Sequence, residues 1–266
     1  MYATNFSRAA NLADASAKMG AATDGKYLAG GQTLIPTMKQ RLAAPSDLID
    51  LTRIPDLSGI KADADTVTIG AATRHYDVAT SATVRGAIPA IAALAAGIGD
   101  PAVRHMGTIG GSIANNDPAA DYPAAVLALG AGIITDKRTI FAEAWFQGMF
   151  STALGTDEIV KAIQFPIPAK AAYAKFPNPA SRYALAGVFV AKMKNGSVRV
   201  AATGVGEGGV LRFPALEAAL QANWSAAALA NVAVSPEGLL SDIHGSAEYR
   251  ANLVNVMARR AVAAAG

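Results

Sequence analysis

The chain has 266 residues, 52% of them hydrophobic and only 16% charged, so it can bury a large core divided among two or three sub-domains. Its 23 basic and 20 acidic side chains leave a formal charge of +3 without a concentrated basic stripe, which argues against nucleic acid as a partner. Cysteine is absent, which excludes disulfides, Cys-zinc sites, a cysteine nucleophile and thiolate-held iron–sulfur clusters; any such cluster has to sit on a partner.

The first twenty residues carry polar side chains every few positions and lack the apolar run of a signal peptide, so a cytoplasmic location is expected. The pattern from Asn11 to Thr23 predicts an amphipathic helix. "KYLAGGQTLIP" follows as a short strand running into paired glycines and a proline stop. "DLIDLTRIPDLSGIK" supplies a second strand and a turn, and "DTVTIGAATRHYDVAT" a half-buried strand before a helix opening near Tyr76. Residues 84–98 read as one further helix. "YPAAVLALGAGIIT" reads as helix into strand, and "EIVKAIQFPIP" as a strand. The longest apolar stretches fall short of the ~20 residues that span a bilayer. Proline, lysine and alanine cluster from Pro166 to Pro179, the best candidate for a domain boundary. Beyond it, "YALAGVFVAKMKNGSVRVAATGV" predicts a hairpin turning at Asn195-Gly196, and the region from Pro214 onward is mostly helical.

Several chemistries fail on spacing. His75, His105 and His244 are scattered, with no His-x-x-x-His or His-Glu pair for a metal. "GGSIA" lacks the second flanking glycine of a serine-hydrolase elbow. "GVGEGG", Gly204 to Gly209, has the letters of a dinucleotide fingerprint, but "VLRFP" follows where a helix should start, so it reads as a loop. Asp117 and Asp121 lack the further ligands that metal or acid–base work needs, and Asp117 reads as a turn or cap residue. Two Gly-Gly pairs remain, "AGGQT" (Ala29, Gly30, Gly31, Gln32, Thr33) and "TIGGS" (Thr108, Ile109, Gly110, Gly111, Ser112). Glycine lets backbone N–H groups approach an anion, so each pair is either a tight turn or half of a clamp on one pyrophosphate.

"LAGGQTLIPTMKQRLAAPSDLIDLTRIPDLSGI" together with "DPAVRHMGTIGGSIANNDPAADYPA" resembles the FAD-binding subunits of the molybdenum hydroxylases, the group that contains the medium subunit of aerobic carbon monoxide dehydrogenase. "EIVKAIQFPIP", "AYAKF", "YALAG" and "AEYRANLVNVMARRAV" extend the likeness in order along the whole chain. The resemblance implies an α+β fold: a PCMH/vanillyl-oxidase-type FAD-binding domain of two sub-domains (1–55 and 56–170), then a small C-terminal α+β domain (171–266) with a three-stranded antiparallel sheet. It implies FAD between the first two parts, with Ala29 to Leu34 and Thr108 to Ser112 around the pyrophosphate. Asn115 and Asp121 would meet the flavin's hydroxyl chain, Ile98 and Val160 the adenine side, and Lys175 and Tyr183 the isoalloxazine. Read from residue type alone, Lys175 could equally be a solvated surface lysine and Tyr183 a core aromatic.

The implied role is electron transfer. The chain would pass electrons from two [2Fe–2S] clusters on a small subunit, fed by a molybdopterin-binding large subunit, through FAD to an external acceptor. The expected assembly is a dimer of heterotrimers, with room for peripheral association of the complex with a membrane. A free-standing flavin-dependent oxidoreductase and a scaffold that has lost FAD are the alternatives. Two departures from the family pattern stand out: Gln32 where many relatives have histidine, and Ser181-Arg182 where close relatives have Gly-Asp.

Overall fold

The computed structural model describes residues Met1–Gly266 in full, as four sheets with helices packed on them. The N-terminal sheet has the order β1 (Asn5–Arg8), β3 (Asp47–Asp50), β2 (Gly25–Leu28), all parallel. Parallel neighbours need a crossover, and α1 (Leu12–Ala21) supplies it between β1 and β2. Asn11 caps that helix by accepting from Asp14 N–H at 2.9 Å. After β2 come the glycine pair and α2 (Leu34–Lys39); Pro36 sits inside its first turn, where a missing N–H is harmless, rather than stopping it. A small core of Ala9, Ala15, Ile49, Leu51, Ile54 and Leu57 closes this unit and takes Ile159 from later in the chain.

The middle sheet is built from β4 (Ile60–Ala62), β5 (Thr66–Gly70), β6 (Gly132–Thr135) and β7 (Thr139–Phe141), joined by β10 (Val160–Pro166) after a small ribbon of β8 (Phe146–Gly148) and β9 (Ser151–Thr152). Its order is β4-β5-β10-β6-β7, so β10 is inserted at the centre, antiparallel to both neighbours. Between β5 and β6 run α3 (His75–Thr80), α4 (Ala82–Ala87), α5 (Pro89–Ala96), α6 (Pro101–Met106), α7 (Ile109–Asn115) and α8 (Tyr122–Leu129), with the short α9 (Ala142–Trp145) after β7. The single helix expected over 84–98 is therefore two helices, because Pro89 takes the first position of α5 and Ile88 leaves helical geometry at ψ 74°. All eight residues of α8 are buried, which explains a sequence apolar on every side.

The C-terminal sheet is a correction. Four antiparallel strands form it where three were expected: β11 (Lys170–Pro177), β12 (Ala184–Lys192), β13 (Val198–Gly206) and β14 (Gly209–Arg212). The fourth arises because "GVGEGG" is the end of β13 and the turn into β14. No helix starts there, and Gly204 needs to be glycine twice over, for its φ of +79° and because a Cβ would lie 2.2 Å from the Ala184 carbonyl. The β12–β13 turn takes in Asn195-Gly196, but residues 193–197 form the connection and only Gly196 is left-handed, at φ +86°, where a two-residue turn with both left-handed was expected. One face of this sheet is covered by α10 (Pro214–Ala222) and the long α11 (Ala247–Ala265). Phe189, Ala191, Ala201 and Val210 on its other face join the core of the middle unit, against α5 and α8.

Candidate functional site: a cavity between three units

A cavity of about 900 Å³ lies where the three units meet. It is lined by the stretch after β2, by α7 and the turns around it, by the start of β10, and by Lys175 and Ala180 to Tyr183 of the C-terminal unit. Of the residues expected at the cofactor, Ala29, Gly30, Gly31, Gln32, Thr33, Leu34, Ile98, Thr108, Gly110, Gly111, Ser112, Asn115, Asp121, Val160, Lys175 and Tyr183 line it; Ile109 does not and is fully buried in the middle core.

The two glycine pairs differ in what their backbones offer. From Ala29 through Leu34, none of the N–H groups donates to a protein acceptor, so six consecutive donors front the cavity. Gly31 at φ +68° bends this stretch into the concave form that suits an anion. The second pair is not a loose turn: it is the first turn of α7, and its donors are already engaged. Ile109 donates to the Thr73 carbonyl at 3.1 Å and Gly110 to the Ala71 carbonyl at 2.8 Å. Thr108 is the N-cap, its hydroxyl accepting from Gly111 N–H at 3.2 Å. Glycine is required at 110 for contact, since a Cβ there would sit 2.4 Å from the Ala71 methyl, whereas at 111 it would meet only the Thr108 hydroxyl, at 3.0 Å. The two segments also touch: a Cβ on Gly30 would lie 2.3 Å from the Met106 carbonyl. The fit to a pyrophosphate thus rests on the free donors of 29–34, with α7 as a wall.

At the other side Asp121 stands at the N-cap position of α8 but does not cap it. Its buried carboxylate accepts instead from the Tyr173 hydroxyl at 2.6 Å and from Lys175 Nζ at 3.0 Å. Lys175 also donates to the Gly97 carbonyl at 3.2 Å, and its side chain is only 11% exposed, so it is not a solvated surface lysine. Burial pushes the Asp121 carboxyl up from the usual carboxylate range, opposed by the Lys175 cation and the Tyr173 hydroxyl. The Tyr173 hydroxyl is pushed well up by burial and by the adjacent carboxylate. On β12, Gly187 pairs with Lys175, and any Cβ there would lie 2.1 Å from the Tyr173 hydroxyl. Asp117 turns its carboxylate onto Ala119 N–H at 2.9 Å, a local turn contact, although it also borders the cavity.

Some lining residues carry no pattern visible in the sequence. His75 is buried with Nδ1 unpartnered, and burial, reinforced by the Arg104 charge, lowers it from 6.5 to about 4. Arg104 holds the turn before α6 by donating to the Ile98 carbonyl at 2.9 Å, which sets Ile98 on the wall. Glu158, beside Val160, is held down at about 2 by the Arg138 guanidinium, despite its burial, and accepts from the Thr135 hydroxyl at 2.6 Å. Phe150 and Arg182 rim the cavity in left-handed conformations, at φ +55° and +63°. Tyr183, expected as either a flavin neighbour or a core aromatic, is 48% exposed on the same rim.

Residues 2–168 match the family described as FAD binding domain in molybdopterin dehydrogenase, and residues 171–265 the CO dehydrogenase flavoprotein C-terminal domain. The chain belongs to the FAD-binding subunits of the molybdopterin dehydrogenases. As such a subunit it is an oxidoreductase flavoprotein of a multi-subunit complex, with FAD as its cofactor. It is 36% identical over 260 residues to the carbon monoxide dehydrogenase medium chain of Hydrogenophaga pseudoflava, covering 91% of this chain and 90% of that one. It is 34% identical over 277 residues to the nicotine 6-hydroxylase medium subunit of Paenarthrobacter nicotinovorans, covering 99% and 98%. Among solved structures, reconstituted CO dehydrogenase from Oligotropha carboxidovorans superposes with a TM-score of 0.91 at 34% identity, covering 99% of this chain and 97% of that one. The relatives so matched belong to complexes named for quite different substrates, so the likeness fixes the flavin role and not the substrate. No helix of this FAD-binding subunit is long and apolar enough to cross a membrane.

Proposed function

We propose that this subunit receives electrons from [2Fe–2S] clusters on a small partner, fed by a molybdopterin-binding large partner, and delivers them from FAD to an external acceptor within a dimer of heterotrimers. The observation that carries the cofactor placement is the run of six free N–H groups from Ala29 to Leu34, facing one cavity that also holds the Asp121–Lys175–Tyr173 cluster. FAD, when bound, supplies the electron storage and release. The chain supplies binding, orientation and electrostatic tuning. The backbone donors of 29–34 take the pyrophosphate, with Thr108 to Ser112 closing the wall beside it. Asp121 and Asn115 face the hydroxyl chain, and Ile98 and Val160 the adenine end. Lys175 brings a cation to the ring end, held there by Asp121 and the Gly97 carbonyl, where it favours added negative charge. Tyr183 covers the ring from the rim. The lack of cysteine supports the division of labour, because iron–sulfur ligation has to come from another chain. Membrane association of the complex, in this reading, is peripheral.

Purification from the native host with co-purifying partners tests this reading. The expected result is one flavin per copy of this chain, with iron and molybdenum leaving the preparation when the partners are removed. A native complex without flavin overturns it, and a lone chain that turns over an organic substrate points instead to a free-standing oxidoreductase.

A further inference from the structure

Four non-glycine residues have positive φ: Arg41, Asn116, Phe150 and Arg182. Two of them, Phe150 and Arg182, project from the rim of the cavity, and a third, Asn116, holds one of their loops. Left-handed geometry at a bulky residue costs on the order of 1–3 kcal/mol and persists only where the surroundings over-determine it. Here they do. Asn116 donates to the Gly148 and Ser151 carbonyls at 2.7 and 2.9 Å, and its own carbonyl accepts from Phe150 N–H at 3.1 Å. Asn178, also buried, accepts at its side-chain oxygen from Ala180 and Ser181 N–H at 2.9 and 3.2 Å, while its backbone pairs with Arg182 and Tyr183. Both loops are anchored on the stretch Asn116–Ala119, the second through Ala184 N–H to the Ala119 carbonyl at 3.4 Å. Three residue steps span at most about 11 Å, so the two loops share one side of the mouth.

The charges on that side are unequal in freedom. Lys175 is paired with Asp121, Glu158 with Arg138, and Asp117 is turned onto Ala119 N–H. Arg182 is exposed, lines the cavity next to Tyr183 and makes no ion pair, so its charge is free to meet a molecule arriving at the mouth. We infer that Arg182 is a specificity-determining residue for the electron acceptor, and that its unpaired charge, carried on a fixed turn, selects an anionic acceptor bearing phosphate or carboxylate groups. The inference rests on the flavin reading above.

The test is anaerobic photoreduction of the FAD-loaded full chain, then stopped-flow reoxidation by ferricyanide, a neutral short-chain benzoquinone or the hexaammineruthenium(III) cation. Each reduced flavin returns two electrons, one to each of two ferricyanide or ruthenium ions with its protons released to solvent, or both with two protons to one quinone. Arg182→Glu is expected to slow ferricyanide by about tenfold or more at low ionic strength, to lose that effect at high salt, to speed the ruthenium cation and to change the quinone rate little. Arg182→Asn, which suits left-handed geometry, keeps the turn while removing the charge and should fall between wild type and Arg182→Glu. Arg41→Glu makes the same charge change outside the cavity lining and should shift the two charged acceptors far less. Charge-blind reoxidation in the Arg182 variants, equal slowing in Arg41→Glu, or loss of flavin from Arg182→Asn would overturn the inference. A wild-type chain that takes up no flavin instead fails the parent reading.

Discussion

Gly110 and Gly111 look alike in the sequence and have opposite reasons for lacking a side chain. Gly110→Ala drives a methyl into Ala71 and should cost about 1–3 kcal/mol of stability, read as a lowered denaturation midpoint. Gly111→Ala meets only a hydroxyl at the cavity wall, so the fold should hold while FAD affinity falls by about tenfold, or ~1.4 kcal/mol, in a flavin titration. The glycine pairs are legible because glycine is conspicuous; that Gly110 N–H is already engaged is not, since its acceptor, the Ala71 carbonyl, lies some distance back along the chain. Tyr173 escaped notice for a similar reason, its carboxylate partner being 52 residues away. His75 gives a pH signature. Its folded pKa is depressed from 6.5 to about 4, so between those values the unfolded chain takes a proton that the folded chain refuses, and stability falls as pH drops through that window. The full effect approaches about 3 kcal/mol. Urea denaturation across the window should show it, and His75→Gln should flatten the slope.

At the scale of elements, the sequence is legible wherever burial and periodicity agree. The strand over "EIVKAIQFPIP" and the fully apolar α8 follow from local pattern alone. What local pattern could not give is sheet order, because β10 inserts between β5 and β6 from far along the chain. It also could not give the left-handed bend at Phe150, since no propensity marks a phenylalanine for it. That bend depends on Asn116, itself left-handed at φ +46° and only 1% exposed. Asn116→Ala removes two bonds to the β8–β9 ribbon and leaves a strained backbone, so it should cost roughly 2–4 kcal/mol. Proteolysis of the folded chain should then cut first near residues 148–151, and Asn116→Gly, relieved of the backbone strain, should lose less stability.

At the scale of the molecule, the first family segment does not complete its own core, although the second has one of its own. Phe189, Ala191, Ala201 and Val210 complete the core whose other members come from the middle unit, and the Asp121–Lys175 pair crosses the same boundary. A fragment ending at residue 168 would expose the apolar faces of α5 and α8 and strip Asp121 of both partners, Tyr173 and Lys175. It should be insoluble or molten, with dye binding and no sharp thermal transition, whereas the full chain unfolds cooperatively.

Six backbone donors without protein acceptors have a consequence outside electron transfer. They make the fold itself a sensor of flavin supply. A ligand present at 100 times its Kd adds about 2.7 kcal/mol to the stability of the state that binds it. For a chain of this size that is roughly 5–10 °C of thermal midpoint. In a cell short of flavin more of the subunit would be open to proteases, so cofactor scarcity would register as missing protein as well as idle enzyme.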